Sequence, residues 1–396
     1  MKDRKPTVLV LLAVSSLYVT GASISGSLPQ MAEVFSNIPH AELLVKLTLT
    51  LPALFIALIS PAAGSISDRF GRKKILIISL VTYGIGGFSG FLLKDLRLIL
   101  AGRALLGLSL GTLFTTASAL IGDNFSGEQR KKVISMQGAS VSLGGLIYVG
   151  GSGFLAEIGW KVPFITYLVS FLILPAALRI LKEPEHCRDE IKTAETGKRQ
   201  TPAGTIVFIN ISVFISMVFF LMIHTQLPFI LRESGKNSSS LMGVLLILLN
   251  VVGFFTAASY PRIRQRLSYI RVYALFFLSM GIGFALIGIG PGSLSLIAGI
   301  LFCGIGAGIV VPNTSLWLQE ITAPESRGRI MGIMTAATFL GQFLSPMIIQ
   351  PVLDLLTGDR LFSLTGVFMM ILGLLYFGPG RASRRASVPG SRAEQV

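Results

Sequence analysis

Residues Gly64–Lys74 read GSISDRFGRKK and stand between two long apolar runs. Gly64 allows the first run to end tightly, Asp68 and Arg69 follow, and Gly71 turns the chain back into the cationic cluster Arg72, Lys73 and Lys74. So short and charged a hairpin fits the connection between two helices that each cross a hydrocarbon core about 30 Å thick, a distance that takes about 20 residues. Outward from it, apolar runs of that length recur and give twelve spans, near 7–28, 43–65, 75–93, 98–122, 133–156, 160–181, 204–230, 239–260, 270–289, 294–319, 329–353 and 361–378. With 52% hydrophobic and 13% charged residues among 396, the chain is not a soluble globular domain. The fold class expected is an all-α membrane protein of twelve transmembrane helices.

The formal net charge of +15 could point to nucleic acid, but the basic residues punctuate the spans instead of building one face. Counted on alternate sides, 26 of the 34 Lys and Arg fall with the termini and the connection after the sixth span, and six on the opposite side. Positive charge is retained on the cytoplasmic face. Both termini are therefore expected in the cytoplasm, in a multi-pass protein of a bacterial-type inner (plasma) membrane. The one long connection is polar, carries both charge signs and divides the spans six and six. The organisation expected is an N-terminal six-helix bundle at 1–181, a cytoplasmic linker at 182–203, a C-terminal six-helix bundle at 204–380 and a cytoplasmic tail at 381–396. The start, MKDRKPTVLVLLAVSSLYV, has the basic and apolar regions of a signal peptide, yet its run is long, no small-x-small site ends it and eleven spans follow. Cys187 and Cys303 make neither a disulfide framework nor a metal site.

The two halves repeat. A shift of 197 pairs Gly107 with Gly304, Gly111 with Gly308, Asp123 with Glu320, Glu128 with Glu325, Arg130 with Arg327, Lys132 with Arg329 and Gly144 with Gly341. Shared composition of membrane helices explains the glycines but not the aligned charges, so two six-helix repeats are expected, with a midplane site between them. Through Gly64, Asp68, Arg69, Gly71, Arg72 and Lys73 the hairpin resembles the loop between the second and third helices of major facilitator superfamily transporters. The resemblance covers nearly the whole chain and leans toward the twelve-spanner drug–proton antiporters. It implies that Asp68 sits against the start of the eleventh helix, near Glu325-Ser326-Arg327-Gly328, and that Arg72 pairs with Asp123. Together these residues would form a conformational latch, closed in the outward-open state. Read as topology alone, the charges leave Asp68 and the two glycines unused. The second-half counterpart, SYPRIRQRLSYIR at 259–271, lacks the Asp and both glycines and is assigned topology only.

Arg103 lies six residues into the fourth span, about 9 Å deep. An intramembrane Arg is costly and so a functional candidate; the other reading is a side chain snorkelling to the interface. With Gly107 and Gly111 after it, Arg103 resembles the superfamily's fourth-helix motif, which implies a part in proton coupling. The fifth span, with Gly138, Gly144, Gly145, Gly150, Gly151 and Gly153 before FLAEIGW, is similar to the antiporter motif of the fifth helix. Tyr148 and Val149 stand where that motif has Gly-Pro, and close packing accounts for the glycines equally. Leu28-Pro29 and the PESRGRIMGI stretch, with Gly341-Gln342 and Pro346 downstream, fit the same branch.

Tyr18, Gln137, His224, Gln226, Asn250, Asn313 and Gln342 are the candidates for a substrate cavity, each alternatively an interhelical hydrogen-bonding group. So sparse a polar lining among Phe, Leu and Met suits amphipathic or lipophilic substrates. No carboxylate falls near mid-membrane, so coupling to protons rests on the resemblance, with His224 as a residue type suited to a proton switch. The function expected is secondary active export of small amphipathic molecules or drugs by alternating access, coupled to protons. Alternatives are a narrow-specificity metabolite or nutrient carrier (symporter or uniporter) and a non-transporting membrane sensor. An enzyme is not expected, since metal-ligand clusters, nucleophile motifs and phosphate loops are missing. No cofactor is expected either. The partners are a small-molecule substrate, the proton and the lipid bilayer, and the resemblance implies a monomer.

Overall fold

The computed structural model describes residues 5–183, 203–233, 235, 239–290, 292–323, 326–353 and 355–377. Twelve helices in it are long and apolar enough to cross a bilayer. In chain order they are α1 (Lys5–Val34), α2 (Ala41–Phe70), α3 (Arg72–Leu92), α4 (Leu96–Asn124), α5 (Gly127–Ile158) and α6 (Val162–Ile180). The second six are α7 (Ala203–Glu233), α8 (Ser239–Arg266), α9 (Tyr269–Gly288), α10 (Leu294–Ile321), α11 (Arg329–Leu353) and α12 (Gly358–Phe377). No strand occurs among the described residues. Lipid offers no hydrogen bonds, so a spanning segment has to satisfy its backbone internally, and a helix does so. Twelve crossings bring the chain back to the end where it began. We call the end that holds Lys5 and Phe377 the basic end and the other the distal end.

The helices outrun the apolar stretches that reveal them, most clearly at the hairpin. Gly64 does not end α2. The helix continues to Phe70, the Ser67 hydroxyl donates to the Gly64 carbonyl at 2.8 Å, and the turn falls at Gly71, whose φ of 96° favours glycine. Stopping at Gly64 would strand four carbonyls at the edge of the apolar layer, whereas six more residues carry them to water. α1 is irregular in its middle: two 3₁₀ segments, Leu17–Ala22 and Ser25–Ser27, separate its helical ends.

Two large hydrophobic cores form, beside a small cluster of Ile209, Leu318, Ile330 and Met334. One gathers Leu11, Leu17, Leu49, Leu80, Leu110 and Phe164, mainly from α1 to α6. The other gathers Met222, Phe276, Phe284, Ile300 and Phe362, mainly from α7 to α12. The linker expected at 182–203 lies outside the described residues apart from its first two and its last, and the tail at 381–396 lies wholly outside them.

The halves meet at the distal end and part toward the basic end. A Cβ on Gly153 of α5 would lie 2.4 Å from the Gly243 Cα of α8, so the two backbones touch where both residues lack side chains. Further along, Gly138 of α5 has open space beside it, and Ile134, Met136, Phe254 and Phe255 are exposed. α5 and α8 thus form a fork.

Candidate functional site

Arg103 is fully buried and its guanidinium is met on three sides. Nε donates to the Thr48 carbonyl at 2.6 Å, Nη1 to the Tyr167 hydroxyl at 2.7 Å and Nη2 to the Gly21 carbonyl at 2.7 Å. The first acceptor has a cause in the sequence. Residue Pro52 stands four places after Thr48 and has no N–H to give it, so α2 has a free carbonyl that Arg103 fills. The third acceptor belongs to the 3₁₀ stretch of α1, and the Tyr167 hydroxyl donates in turn to the neighbouring Thr20 carbonyl at 2.8 Å. Arg103 therefore does not snorkel; it pins the irregular part of α1 to α2, α4 and α6.

Between the halves, Tyr18 of α1 stacks on Phe114 of α4 with centroids 4.1 Å apart and meets the edge of Phe339 of α11 at 5.8 Å. Asn250 of α8 lines an apolar groove of about 290 Å³ with Leu143 and Leu146 of α5 and Phe254 and Phe255 of its own helix. Its amide donates within α8 to Leu246 at 2.8 Å. Other cavity candidates are placed differently. The Gln137 amide donates to Ser15 and Ser118, both at 3.0 Å, and so ties α5 to α1 and α4 inside the first half. Asn313 accepts from the Tyr260 hydroxyl at 3.1 Å and donates to the Tyr269 carbonyl at 3.1 Å, inside the second half. Gln342 reaches the Met217 sulfur at 3.7 Å. His224 is buried with its ring 5.2 Å from that of Phe220.

The distal closure holds a group that the cavity reading overlooked. Gln226 accepts from Lys46 Nζ at 2.7 Å, and Gln350 accepts from the same atom at 2.8 Å, which joins α2 to α7 and α11. The sequence did carry a sign of it: Glu42 and Lys46 are two opposite charges one turn apart in an apolar span. Two rim contacts accompany it. Arg232 of α7 pairs with Glu33 of α1, and the Glu157 carboxylate of α5 accepts the Ser240 N–H in the first turn of α8 at 2.8 Å.

At the basic end the expected pair of Arg72 and Asp123 is present. Arg72 pairs with Asp68 at 2.8 Å, bonds its Nε to the same carboxylate at 2.9 Å and pairs with Asp123 across to α4. Arg69 lies 5.6 Å from the Phe70 ring. Of the helix start expected against Asp68, near Glu325-Ser326-Arg327-Gly328, Glu325 lies outside the described residues. Glu183 was missed as a member. Its carboxylate accepts the Lys73 N–H at 3.0 Å in the first turn of α3, while Lys73 Nζ donates to the Leu178 carbonyl at 2.9 Å. A Cβ on Gly71 would sit 3.3 Å from that carboxylate, a second reason for glycine there. The second-half counterpart does more than set topology. Arg264 reaches Glu320 at 4.0 Å and stacks 3.8 Å over the Tyr269 ring, a tie between α8, α9 and α10 that needs no Asp in the loop. Because Arg72 and Asp123 are each 26% exposed, Asp123→Asn is expected to cost under about 1 kcal/mol of stability, read by thermal melting in nanodiscs.

The architecture and the hairpin together can be set against known proteins. The family model of the Major Facilitator Superfamily matches residues 10–346 and 209–395. The chain belongs to the Major Facilitator Superfamily. As a member it is a multi-pass membrane transporter and not an enzyme. It is 29% identical over 217 residues to Multidrug resistance protein 1 of Bacillus subtilis (strain 168), covering 53% of this chain and 55% of that protein, so it spans about half of that relative. It is 22% identical over 329 residues to the Quinolone resistance protein NorA of Staphylococcus aureus, covering 80% of this chain and 82% of that one. The Bacillibactin exporter of Bacillus subtilis (strain 168) is 24% identical over 363 residues, 86% of this chain and 88% of that one. Among solved structures, a D-xylose-proton symporter superposes with a TM-score of 0.74 at 18% identity, over 94% of this chain and 97% of that one, a likeness of fold.

Proposed function

We propose that this Major Facilitator Superfamily member exports small amphipathic molecules or drugs by alternating access, driven by protons, across a bacterial-type inner membrane. The moving bodies are residues 1–181 and 204–380, joined by the linker at 182–203. The basic end, with both termini, faces the cytoplasm, so the fork between α5 and α8 opens inward. Gly64, Asp68, Arg69, Gly71, Arg72, Lys73 and Asp123 form the latch of that end.

The observation that carries this reading is the aromatic cluster of Tyr18, Phe114 and Phe339, which spans both halves. It offers ring faces and few hydrogen-bonding groups, which suits flat amphipathic substrates better than sugars. Likeness to proteins named for multidrug and quinolone resistance supports the same class. Proton drive is supported by Arg103, whose surroundings hold α1 at the edge of the cavity, and by the resemblance to the drug–proton antiporter branch.

Dye accumulation in inverted vesicles under an imposed pH gradient tests the proposal, with collapse of the gradient expected to release the dye. Tyr18→Ala is expected to weaken the apparent dye affinity by about 3- to 10-fold while leaving expression unchanged, the loss of one stacking partner. No dye movement under any gradient would replace this reading by a narrow-specificity carrier. The likeness to the Bacillibactin exporter over 86% of the chain favours that second reading.

A further inference from the structure

Lys46 has no exposed side-chain surface, and one nitrogen atom on it touches three helices. It pairs with Glu42 of α2 at 2.5 Å and donates to Gln226 of α7 at 2.7 Å and Gln350 of α11 at 2.8 Å. Its ammonium also lies 4.5 Å from the centre of the Phe229 ring of α7. An ammonium has three N–H groups, and three oxygens meet them here. Two of the three acceptors and the ring belong to the opposite half. A buried cation is costly unless its donors are satisfied. The halves can therefore part at this end only when water takes the place of both amide oxygens.

We propose that Lys46 is the distal gate of the transport cycle, the group that seals the cavity on the side away from the termini and opens it on release from Gln226 and Gln350. The proposal rests on the alternating-access reading above and adds the residue that holds one of its two states.

The surroundings are arranged for reversible release. A cavity of about 380 Å³, lined by His40, Glu42, Leu43, Met347 and Gln350 among others, lies against the cluster. Water there is placed to take over the lysine's lost bonds. Glu42 lies on the same helix as Lys46, so the cation keeps its counter-charge whichever way the halves move. Glu233 of α7 lies within electrostatic reach of Glu42 and Lys46, and of Asp359 of α12. On the buried side, the Gln226 Nε2 and the Thr50 hydroxyl, one turn after Lys46, have no hydrogen-bond partner. Opening would hydrate both, which offsets part of what separation costs. The rim contacts are weaker candidates for the gate, because Glu33 keeps 60% of its side chain exposed.

The test is a pair of spin-label distances in the full chain in nanodiscs, one across each end. Labels at Leu43 and Met347 span α2 and α11 at the distal end; labels at Ile134 and Phe254 span α5 and α8 toward the basic end. Lys46→Ala is expected to raise the ratio of distal-open to distal-closed molecules roughly tenfold, with the basic pair shortening in the same sample. Lys46→Arg, which keeps the charge and donors, is expected to restore most of the parent distribution. The double variant Gln226→Leu with Gln350→Leu keeps the lysine and removes its acceptors across the junction; it should shift both distances as Lys46→Ala does. That variant decides the matter where the alanine variant does not fold.

Unchanged distances in these variants would overturn the proposal. Distal lengthening without basic shortening would also overturn it, since that marks loosening and not a change of state. The distances need no substrate. A reciprocal shift in a protein that moves no dye would leave the gate standing and end the multidrug reading. Gradient-driven dye movement with unmoved distances would do the reverse.

Discussion

Arg103→Ala is expected to abolish gradient-driven transport and to lower stability by about 1–3 kcal/mol for each buried carbonyl that it leaves unsatisfied. The guanidinium satisfies two backbone carbonyls, at Thr48 and Gly21, and the Tyr167 hydroxyl, all at 2.6 to 2.7 Å. Truncation takes this donor from both carbonyls in a dry interior, while the Tyr167 hydroxyl still accepts from the Ser23 hydroxyl at 3.1 Å. The Thr48 carbonyl suffers most, because Pro52 cannot restore a helical donor. Lysine is not an adequate substitute. Its single ammonium cannot present a planar fork to acceptors on α1, α2 and α6 at once. Arg103→Lys is therefore expected to recover some stability and little transport. Thermal melting in nanodiscs and dye uptake in inverted vesicles, run on the same preparations, check both parts. Transport of parental rate in Arg103→Ala would remove the residue from the mechanism.

Gly153→Val should be nearly as damaging, for a steric reason. The first methyl-sized atom at this position would lie 2.4 Å from the Gly243 Cα and 2.7 Å from the Ser239 carbonyl oxygen. Both are backbone atoms and neither can rotate away. α5 and α8 would have to separate by about 1 Å where they now touch, and overpacking of this kind costs about 1–3 kcal/mol. In the alternating-access cycle proposed above, the contact exists only while the distal end is shut, so that cost falls on one state. The expected outcome is at least a tenfold loss of transport, with the distal spin-label pair lengthened. Gly138→Val on the same helix is the control. No neighbour beyond the helix's own adjacent backbone lies within 4 Å of the added carbon there, so transport near the parental rate is expected.

The spans were legible because lipid forces apolar residues into runs of one length, and the Arg72–Asp123 pair because the loop pattern marks Arg72 and Asp123 ends the fourth span on the same side. The end of α2 was misplaced, since Gly64 looks like a terminator while the backbone needs to reach water before it stops. Lys46 was visible as a charge in a span, but its acceptors lie 180 and 304 residues away in sequence. Only the packing of α2 against α7 and α11 brings them to it. The free carbonyl at Thr48 was written in the spacing to Pro52, yet which donor would fill it depended on α4 lying beside α2. Gln137 and Asn313 show the opposite limit. As polar residues in apolar spans they resemble ligand contacts, and the structure spends their hydrogen bonds inside their own halves.

The charges of this protein lie in two dielectric settings. Lys46 and Arg103 expose nothing, whereas Asp68, Glu320 and Glu33 keep 58%, 59% and 60% of their side chains in contact with the medium. Dissolved ions screen charge over about 8 Å of water at physiological ionic strength and do not follow it into a packed interior. Added salt therefore weakens the peripheral pairs at both ends and leaves the two interior cations at full strength. Ionic strength tunes how readily the edges let go, while the commitment between states stays with groups that the surrounding electrolyte cannot reach.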